Sequence, residues 1–306
     1  MTDLVADIGG TNARVAFRTN GQIGTPHLRR TADFASLKDL LADVIQTAHV
    51  RPRRAALALA GPITEDIVRF TNLPWSFSGK ALAQGLGVEQ LLLENDVAAI
   101  AWSLPQLTSA DLSVLRNGQP VHATKVVIAP GTGVGMSALT PIGNQWAVVN
   151  SEGGHAYAAS EVLGTYGPKI WREGVPLSWE QLLSGDGLLM MYRATARSIK
   201  AKTPADVTAL ARASDDDARN VLDMYARLLG ACAGDMAMIF GARGGGYIAG
   251  GIVPALGDLF PIPAFESGFL SKGDFEPYVK PIPVFLVTHP YPALHGLGQL
   301  LDRHAS

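Results

Sequence analysis

A strand, a glycine turn and a returning strand occur twice in this chain, about 120 residues apart, and few folds accommodate that repeat. In the first copy, LVADIGGTNARVAF, the apolar run Leu4-Val5-Ala6 leads through Asp7 to Gly9-Gly10, and Ala13 to Phe17 return. In the second, Lys125 to Ala129 (KVVIA) runs into Pro130-Gly131-Thr132-Gly133-Val134-Gly135, and Met136 to Leu139 return. A duplication of this length is not a short-period solenoid. It points to two related halves facing one cleft.

The intervening sequence supplies helices. Residues 36–49 have apolar spacings of three and four behind Ser36 as N-cap. Arg54 to Leu59 reads as a strand closed by Ala60-Gly61-Pro62, and Leu91-Leu92-Leu93 as a core strand entering Glu94-Asn95-Asp96 and a helix, Val97 to Ser103. A second unit begins near Pro105. Trp179 to Ile239 has helical character, interrupted around Ser214-Asp215-Asp216-Asp217; a strand follows between the glycine clusters of Gly244 to Gly251. Pro281 to Val287 is the last strand and Pro292 to Arg303 the last helix. Strands alternating with helices predict an α/β protein. We divide it into a small α/β domain, 1–105 plus 291–306, and a large one, 106–290.

Composition excludes several classes of function. With 306 residues, 47% of them hydrophobic, the chain can bury a sizeable core. A net charge of −2 with 17% charged residues gives no electrostatic ground for nucleic acid or an anionic membrane as partner. No apolar run is long enough to span a bilayer, and Met1-Thr2-Asp3 leads straight into a strand with no signal-peptide pattern. The one cysteine, Cys232, lies in an apolar helical stretch and reads as a buried thiol. A cytoplasmic protein without disulfides is the expectation. Neither a cysteine-based zinc site nor HExxH is present.

The glycine turns carry the first chemistry. A turn without side chains lets backbone N–H groups converge on an anion, phosphate above all, and Thr11 adds a hydroxyl. Asp7 beside such a nest would repel phosphate unless a cation lay between them. Mg²⁺, held by one or two carboxylates with phosphate oxygens and water, resolves that conflict; the alternative is a tight hairpin with Asp7 as a turn former. Gly131-Thr132-Gly133 offers a second cradle, and Gly250-Gly251 before Ile252 offers a close backbone approach to a base or ribose. None of the three matches GxxxxGK[ST], or GxGxxG opening a βαβ unit. Asn95-Asp96, between strand and helix, is either a general base with a substrate-binding amide or a helix cap formed by Asp96. Glu152-Gly153-Gly154-His155 is a bent loop whose carboxylate and imidazole suit a polyhydroxylated ligand, or a structural histidine beside a surface acid. Glu180 is by itself an acid in the first turn of a helix, where the dipole favours it.

In order along the chain, ADIGGTNAR, AGPI, TNLPW, ENDVAAIAWSLP, APGTGVG, SEGGHA, WEQLLSGDGL, AGGIVPAL and PIPVFLV resemble the bacterial ATP-dependent glucokinases, the non-ROK group of actin-like sugar kinases. The resemblance implies a two-domain ribonuclease-H-like, hexokinase-type fold, with ATP across the glycine turns and glucose between the domains. It also implies ATP-dependent phosphorylation of D-glucose to glucose 6-phosphate, and a homodimer. On it, Asp96 is the catalytic base, and Asn95, Glu152, His155 and Glu180, with Asp96, bind sugar hydroxyls. The nucleotide set is Ala6, Asp7, Ile8, Gly9, Gly10, Thr11, Asn12, Thr132, Gly133, Gly250 and Gly251, with Asp7 reaching Mg²⁺ through water. Three departures stand out: Gln181 replaces an arginine common in the family, Leu183-Ser184-Gly185-Asp186-Gly187 stands where Leu-Ser-Gly-Pro-Gly is common, and Ala158-Ala159-Ser160 replaces an acidic run. No CxCGxxGC-like zinc motif of the ROK kinases is present. The rival readings are a kinase of another hexose and a nucleotide-gated actin-like binding protein without sugar kinase activity.

Overall fold

Asp3 to Ile8 are nearly all buried because the first strand is central to its sheet and covered on both faces. The computed structural model describes residues 2–61, 63, 67–70, 73–158, 170 and 177–304. Pro62 of the strand-closing turn, Thr71 and Asn72 of the TNLPW stretch, and Ala159 and Ser160 lie outside the described residues. The chain divides into two compact units, Met1–Leu107 with Pro290–Ser306, and Thr108–His289.

In the first unit the strands are β1 (Thr2–Ile8), β2 (Asn12–Thr19), β3 (Gln22–Ile23), β4 (His27–Arg30), β5 (Arg54–Leu59), β6 (Ile67–Arg69), β7 (Ser76–Ser78) and β8 (Gln90–Asn95). The main sheet has the order β3-β2-β1-β5-β8, with β4 also on β2, while β6 and β7 pair separately. The β1–β2 and β2–β3 pairs are antiparallel; β1–β5 and β5–β8 are parallel. The helices are α1 (Leu37–Ala48), α2 (Gly79–Leu86), α3 (Asp96–Ser103) and, at the far end of the chain, a C-terminal helix, Pro292–Arg303. Ser36 caps α1, its hydroxyl accepting the Asp39 N–H at 3.1 Å, and Leu37, Leu40, Leu41 and Val44 turn inward. The C-terminal helix crosses α3 with Gly296 on the Ala99 carbonyl, where a Cβ has no room. It is also tied to the strands by charge. Asp3 takes both Arg54 Nε (2.9 Å) and Arg54 Nη2 (2.8 Å), Arg18 Nη2 reaches Asp302 at 2.6 Å, and Arg54 Nη1 donates to the Leu301 carbonyl.

In the second unit, β9 (Leu112–Arg116), β10 (Lys125–Pro130), β11 (Val134–Ile142), β12 (Gln145–Ser151), β13 (Gly246–Ile248) and β14 (Val284–Val287) form one sheet of order β12-β11-β10-β13-β14-β9. The β10–β11 and β11–β12 pairs are antiparallel, β10–β13 and β13–β14 parallel, and β9 joins the edge antiparallel. Leaving β9 aside, order and strand senses repeat those of the first unit. The paired glycine turns predicted two related halves, and the ribonuclease-H-like order is the one that the family resemblance implied. The helices are α4 (Trp179–Leu183), α5 (Gly185–Thr195), α6 (Pro204–Arg212), α7 (Asp216–Ile239), α8 (Ile252–Leu256), α9 (Ile262–Leu270) and α10 (Glu276–Val279), so the C-terminal helix is α11. The helical region read as interrupted once is broken at three places, each by a capping residue: Ser184, Thr203 and Asp215. Helices α7 and α9 approach through Gly230 on the Phe265 carbonyl and Gly268 on the Arg227 carbonyl. Cys232 is fully buried in α7, and burial pushes its thiol pKa well up, as an inert core thiol requires. Among the described residues no helix is long and apolar enough to cross a membrane.

Candidate active site

The first turn is tighter than a row of open amides. The Gly9 N–H donates to the Asn12 carbonyl at 3.0 Å, so it closes the hairpin and is not available to an anion. The Gly10 carbonyl accepts the Thr31 hydroxyl at 2.8 Å. Gly10, Thr11 and Asn12 are left exposed at the tip. Ala6 and Ile8 are fully buried; their side chains face the core, and only their backbone can serve a ligand. Asp7 lies directly across the hairpin from Arg14, whose Nη1 donates to Asp7 Oδ2 at 3.1 Å. Burial raises the Asp7 pKa above the ordinary carboxylate value, and Arg14 opposes that shift. The sequence reading missed Arg14. Its signal was there: opposed positions of an antiparallel pair hold their side chains on one face, and counting outward from the turn pairs this acid with this base.

At the end of β8 the cap is Asn95, not Asp96. Asn95 Oδ1 accepts the N–H groups of Val97 (2.9 Å) and Ala98 (3.1 Å), and Nδ2 donates to the Gly61 carbonyl at 3.4 Å. The helix therefore has its cap without Asp96, which is the first residue of α3. Asp96 Oδ1 also accepts the Val97 N–H at 2.9 Å, and the positive end of the helix favours its charge. Behind them Glu94 is fixed, accepting the Asn95 N–H (3.1 Å) and the Trp102 indole N–H (3.0 Å).

The second turn, the Glu-Gly-Gly-His loop and α4 meet in the second unit. Gly131 N–H donates to the Gly133 carbonyl at 2.8 Å, and the Gly131 carbonyl accepts Gly185 N–H at 2.9 Å; Thr132 is exposed at the tip. Gly154 sits on the Val134 carbonyl so closely that a Cβ there would overlap it, which fixes the loop against the turn. The Glu152 carbonyl accepts the His155 N–H at 3.0 Å, and the next residues run back along α4's entry: Ala158 N–H to Leu177 carbonyl (2.8 Å) and Trp179 N–H to Ala156 carbonyl (3.1 Å). That strip brings Glu180 to the turn. Glu180 Oε2 accepts the Val134 N–H at 3.0 Å, and Oε1 lies 3.7 Å from His155 Nδ1. Glu152 and His155 are exposed and Glu180 is half-buried. Gln181, the departure from the family pattern, completes a capping box with Ser178: Ser178 N–H to Gln181 Oε1 is 2.9 Å, and Gln181 N–H to Ser178 Oγ is 3.2 Å. Gly250, at φ +80°, packs on the Pro130 carbonyl at the base of the same turn, whereas a Cβ at the exposed Gly251 would meet no atom of the described residues within 4 Å.

Among the described residues no three His, Cys, Asp or Glu side chains converge as a metal cage. Asp7 supplies a single carboxylate whose charged form burial disfavours and which a further cation would stabilise. One carboxylate completed by phosphate oxygens and water is an ordinary Mg²⁺ arrangement, so the donor set fits Mg²⁺ bound together with a nucleotide.

Comparison with known proteins gives concordant likenesses. The family model described as Glucokinase matches residues 4–304. A Glucokinase from Nitrobacter hamburgensis is 40% identical over 315 residues, covering 97% of this chain and 96% of the relative. A relative named Bifunctional protein glk, from Paraburkholderia xenovorans, is 36% identical over 316 residues, covering 99% of this chain and 49% of the relative. The chain thus spans about half the length of the bifunctional relatives it matches. Among solved structures, a glucokinase from an Antarctic psychrotroph superimposes with a TM-score of 0.90 at 34% identity, covering 99% of both chains.

Proposed function

The chain belongs to the glucokinase family, and from that premise we propose that it transfers the γ-phosphoryl group of ATP to the 6-hydroxyl of D-glucose. The observation that carries the assignment is the acid–imidazole pair beside a glycine turn, Glu180 Oε1 at 3.7 Å from His155 Nδ1 with Glu180 Oε2 on the Val134 amide. A carboxylate and an imidazole that are partly open to solvent accept from and donate to adjacent hydroxyls, as a sugar ring requires.

Each residue then has a task. Glu152, His155 and Glu180 hold ring hydroxyls. Asn95, its Oδ1 engaged in capping, offers the remaining Nδ2 hydrogen to the sugar. Asp96 takes the proton of the 6-hydroxyl as that oxygen attacks the γ-phosphorus; the bond from phosphorus to the β–γ bridging oxygen breaks, and ADP leaves. We assign Gly10, Thr11 and Asn12 of the first turn, and Thr132 of the second, to the phosphates, and Gly251 to the nucleoside. Asp7 would hold Mg²⁺, through water, and the metal would supply positive charge against the phosphates. Phosphoryl transfer asks little covalent chemistry of a protein beyond such positioning and charge stabilisation. A cytoplasmic setting and a homodimer belong to the same proposal.

The test is release of ADP from Mg·ATP with and without glucose. Glucose-dependent release with formation of glucose 6-phosphate is expected. Nucleotide binding without sugar-stimulated turnover would overturn the assignment, and faster turnover of another hexose would reassign the substrate.

A further inference from the structure

Gly133 has no backbone reason to be glycine. It does not adopt the left-handed conformation that Gly250, at φ +80°, adopts. Its missing side chain nevertheless leaves one particular space. A Cβ at 133 would lie 2.6 Å from Glu180 Oε2 and 3.4 Å from Glu180 Cδ, and, chain neighbours aside, no other heavy atom among the described residues would come within 4 Å. The first distance is closer than real Cβ contacts come. The neighbouring Gly131 has no such conflict, since a Cβ there meets only the Gly133 carbonyl at 3.9 Å.

We propose that Gly133 is a positioning residue for Glu180: the bare backbone at 133 lets the Glu180 carboxylate lie on the Val134 amide, facing His155, and so sets the affinity for the sugar. The proposal rests on the reading of Glu180 as a sugar ligand. It gives Gly133 a task besides its place in the expected nucleotide set. Both ends of the contact are fixed. Glu180 stands in the first turn of α4, which the Ser178–Gln181 capping box locks. Val134 opens β11 and is clamped by Gly154. With the backbone fixed on both sides, an added methyl group is relieved only by rotating the Glu180 side chain away from Val134 N–H. The substitution therefore perturbs one carboxylate and little else.

The experiment is a double-mutant cycle of Gly133→Ala and Glu180→Ala, reading glucose and Mg·AMP-PNP affinities by calorimetry and stability by melting. Gly133→Ala should weaken glucose by about ten- to a hundredfold, the size of a lost hydrogen bond to a charged group. Mg·AMP-PNP affinity should stay within about twofold, as for sites that are not coupled. In the Glu180→Ala background the collision is gone, so adding Gly133→Ala should change glucose affinity no further. Multiplying losses, or a loss confined to the nucleotide, would overturn the proposal. So would unchanged glucose affinity in Gly133→Ala. Unfolding of the single and double variants alike would overturn it too, because the space would then not be Glu180's. If Glu180→Ala itself leaves glucose binding intact, the sugar assignment of Glu180 fails, and this proposal fails with it.

Discussion

Replacing Asp96 by Asn separates the two roles open to this residue, because the structure gives the helix cap to its neighbour. Asn95 Oδ1 accepts Val97 N–H at 2.9 Å and Ala98 N–H at 3.1 Å, and neither bond involves Asp96. The bond from Val97 N–H to Asp96 Oδ1, 2.9 Å, can be remade by the amide oxygen of Asn. What Asp96→Asn removes is a negative charge at a helix N-terminus, worth about 0.3–1 kcal/mol. Stability should fall by an amount of that order. By comparison, Asn95→Ala strips the cap itself and should cost about 0.5–2 kcal/mol. Activity follows a different scale. An amide cannot take the 6-hydroxyl proton, and losing a positioned base lowers turnover by about 10²–10⁴, which is about 2.7–5.4 kcal/mol of barrier. Steady-state kinetics in a coupled assay and guanidinium unfolding of the same preparation give both numbers. A folded Asp96→Asn protein that keeps more than about a tenth of wild-type turnover, well short of the loss expected on removing a base, would refute the reasoning.

Asp7→Ala should raise the Mg²⁺ concentration needed for half-maximal nucleotide binding, with glucose affinity unchanged; calorimetry across a Mg²⁺ series checks it, and an unaltered Mg²⁺ dependence would return Asp7 to a hairpin ion pair. Asp3→Asn should destabilise the fold by about 3–5 kcal/mol in denaturant unfolding, because it leaves the Arg54 guanidinium, which Asp3 holds bidentately, without its buried partner; a loss under about 1 kcal/mol, the scale of an exposed pair, would mean the network is solvated. Tyr225, buried with its hydroxyl on the Leu183 carbonyl at 3.0 Å, has its pKa raised by burial from 10.0, so the folded state keeps its proton while the unfolded state ionises above pH 10.0. The unfolded state then binds fewer protons, and stability is lost as pH rises above that value, by about 1.4 kcal/mol per pH unit for one such group. Tyr225→Phe should show a shallower alkaline decline in unfolding free energy than wild type; parallel declines would count against it.

What was legible in the sequence was local. Ser36 as a cap, the 3–4 spacing behind it, and Pro292 opening the last helix are read from a few adjacent residues, and the structure places α1 at Leu37–Ala48 and α11 at Pro292–Arg303. The duplicated hairpin was legible because its period of apolar strand and glycine turn needs no distant partner. Leu112–Arg116 was not read as a strand: its mate among the described residues, Val284–Val287, is remote in the chain, and nothing in LSVLR announces that pairing. The breaks at Ser184 and Thr203 were present as capping signals, Thr203-Pro204-Ala205-Asp206 especially, but helical character blurred them. In the site, residue types were legible and partners were not. Asp7 suggested a cation, and the structure already supplies Arg14. Glu180 read as a helix-dipole acid, and only the strip joining Ala156–Ala158 to Leu177–Trp179 reveals that it reaches the second turn.

The duplication sets different side chains at equivalent positions of the two turns. Asp7 is the next-to-last residue of β1 and faces Arg14 across the hairpin. The next-to-last residue of β10 is Ala129, and it faces Gly135. The strand positions that hold an ion pair in one unit hold two small residues in the other, so the second turn has no acid of its own. Its carboxylate comes from a helix, Glu180, and is held by a backbone amide where the first is held by an arginine. A carboxylate fixed on a guanidinium at the end of a buried strand suits a cation and phosphate, because it stays in place as charge accumulates beside it. A carboxylate reaching in from a short helix, with one oxygen on an amide and the other toward an imidazole, has directional acceptor capacity for hydroxyls. Moving the acid into the second unit should therefore fail: Ala129→Asp should not create a second Mg²⁺ dependence, since Gly135 offers no cation to fix it. A calorimetric Mg²⁺ titration of Ala129→Asp with AMP-PNP showing an added metal site would contradict the argument.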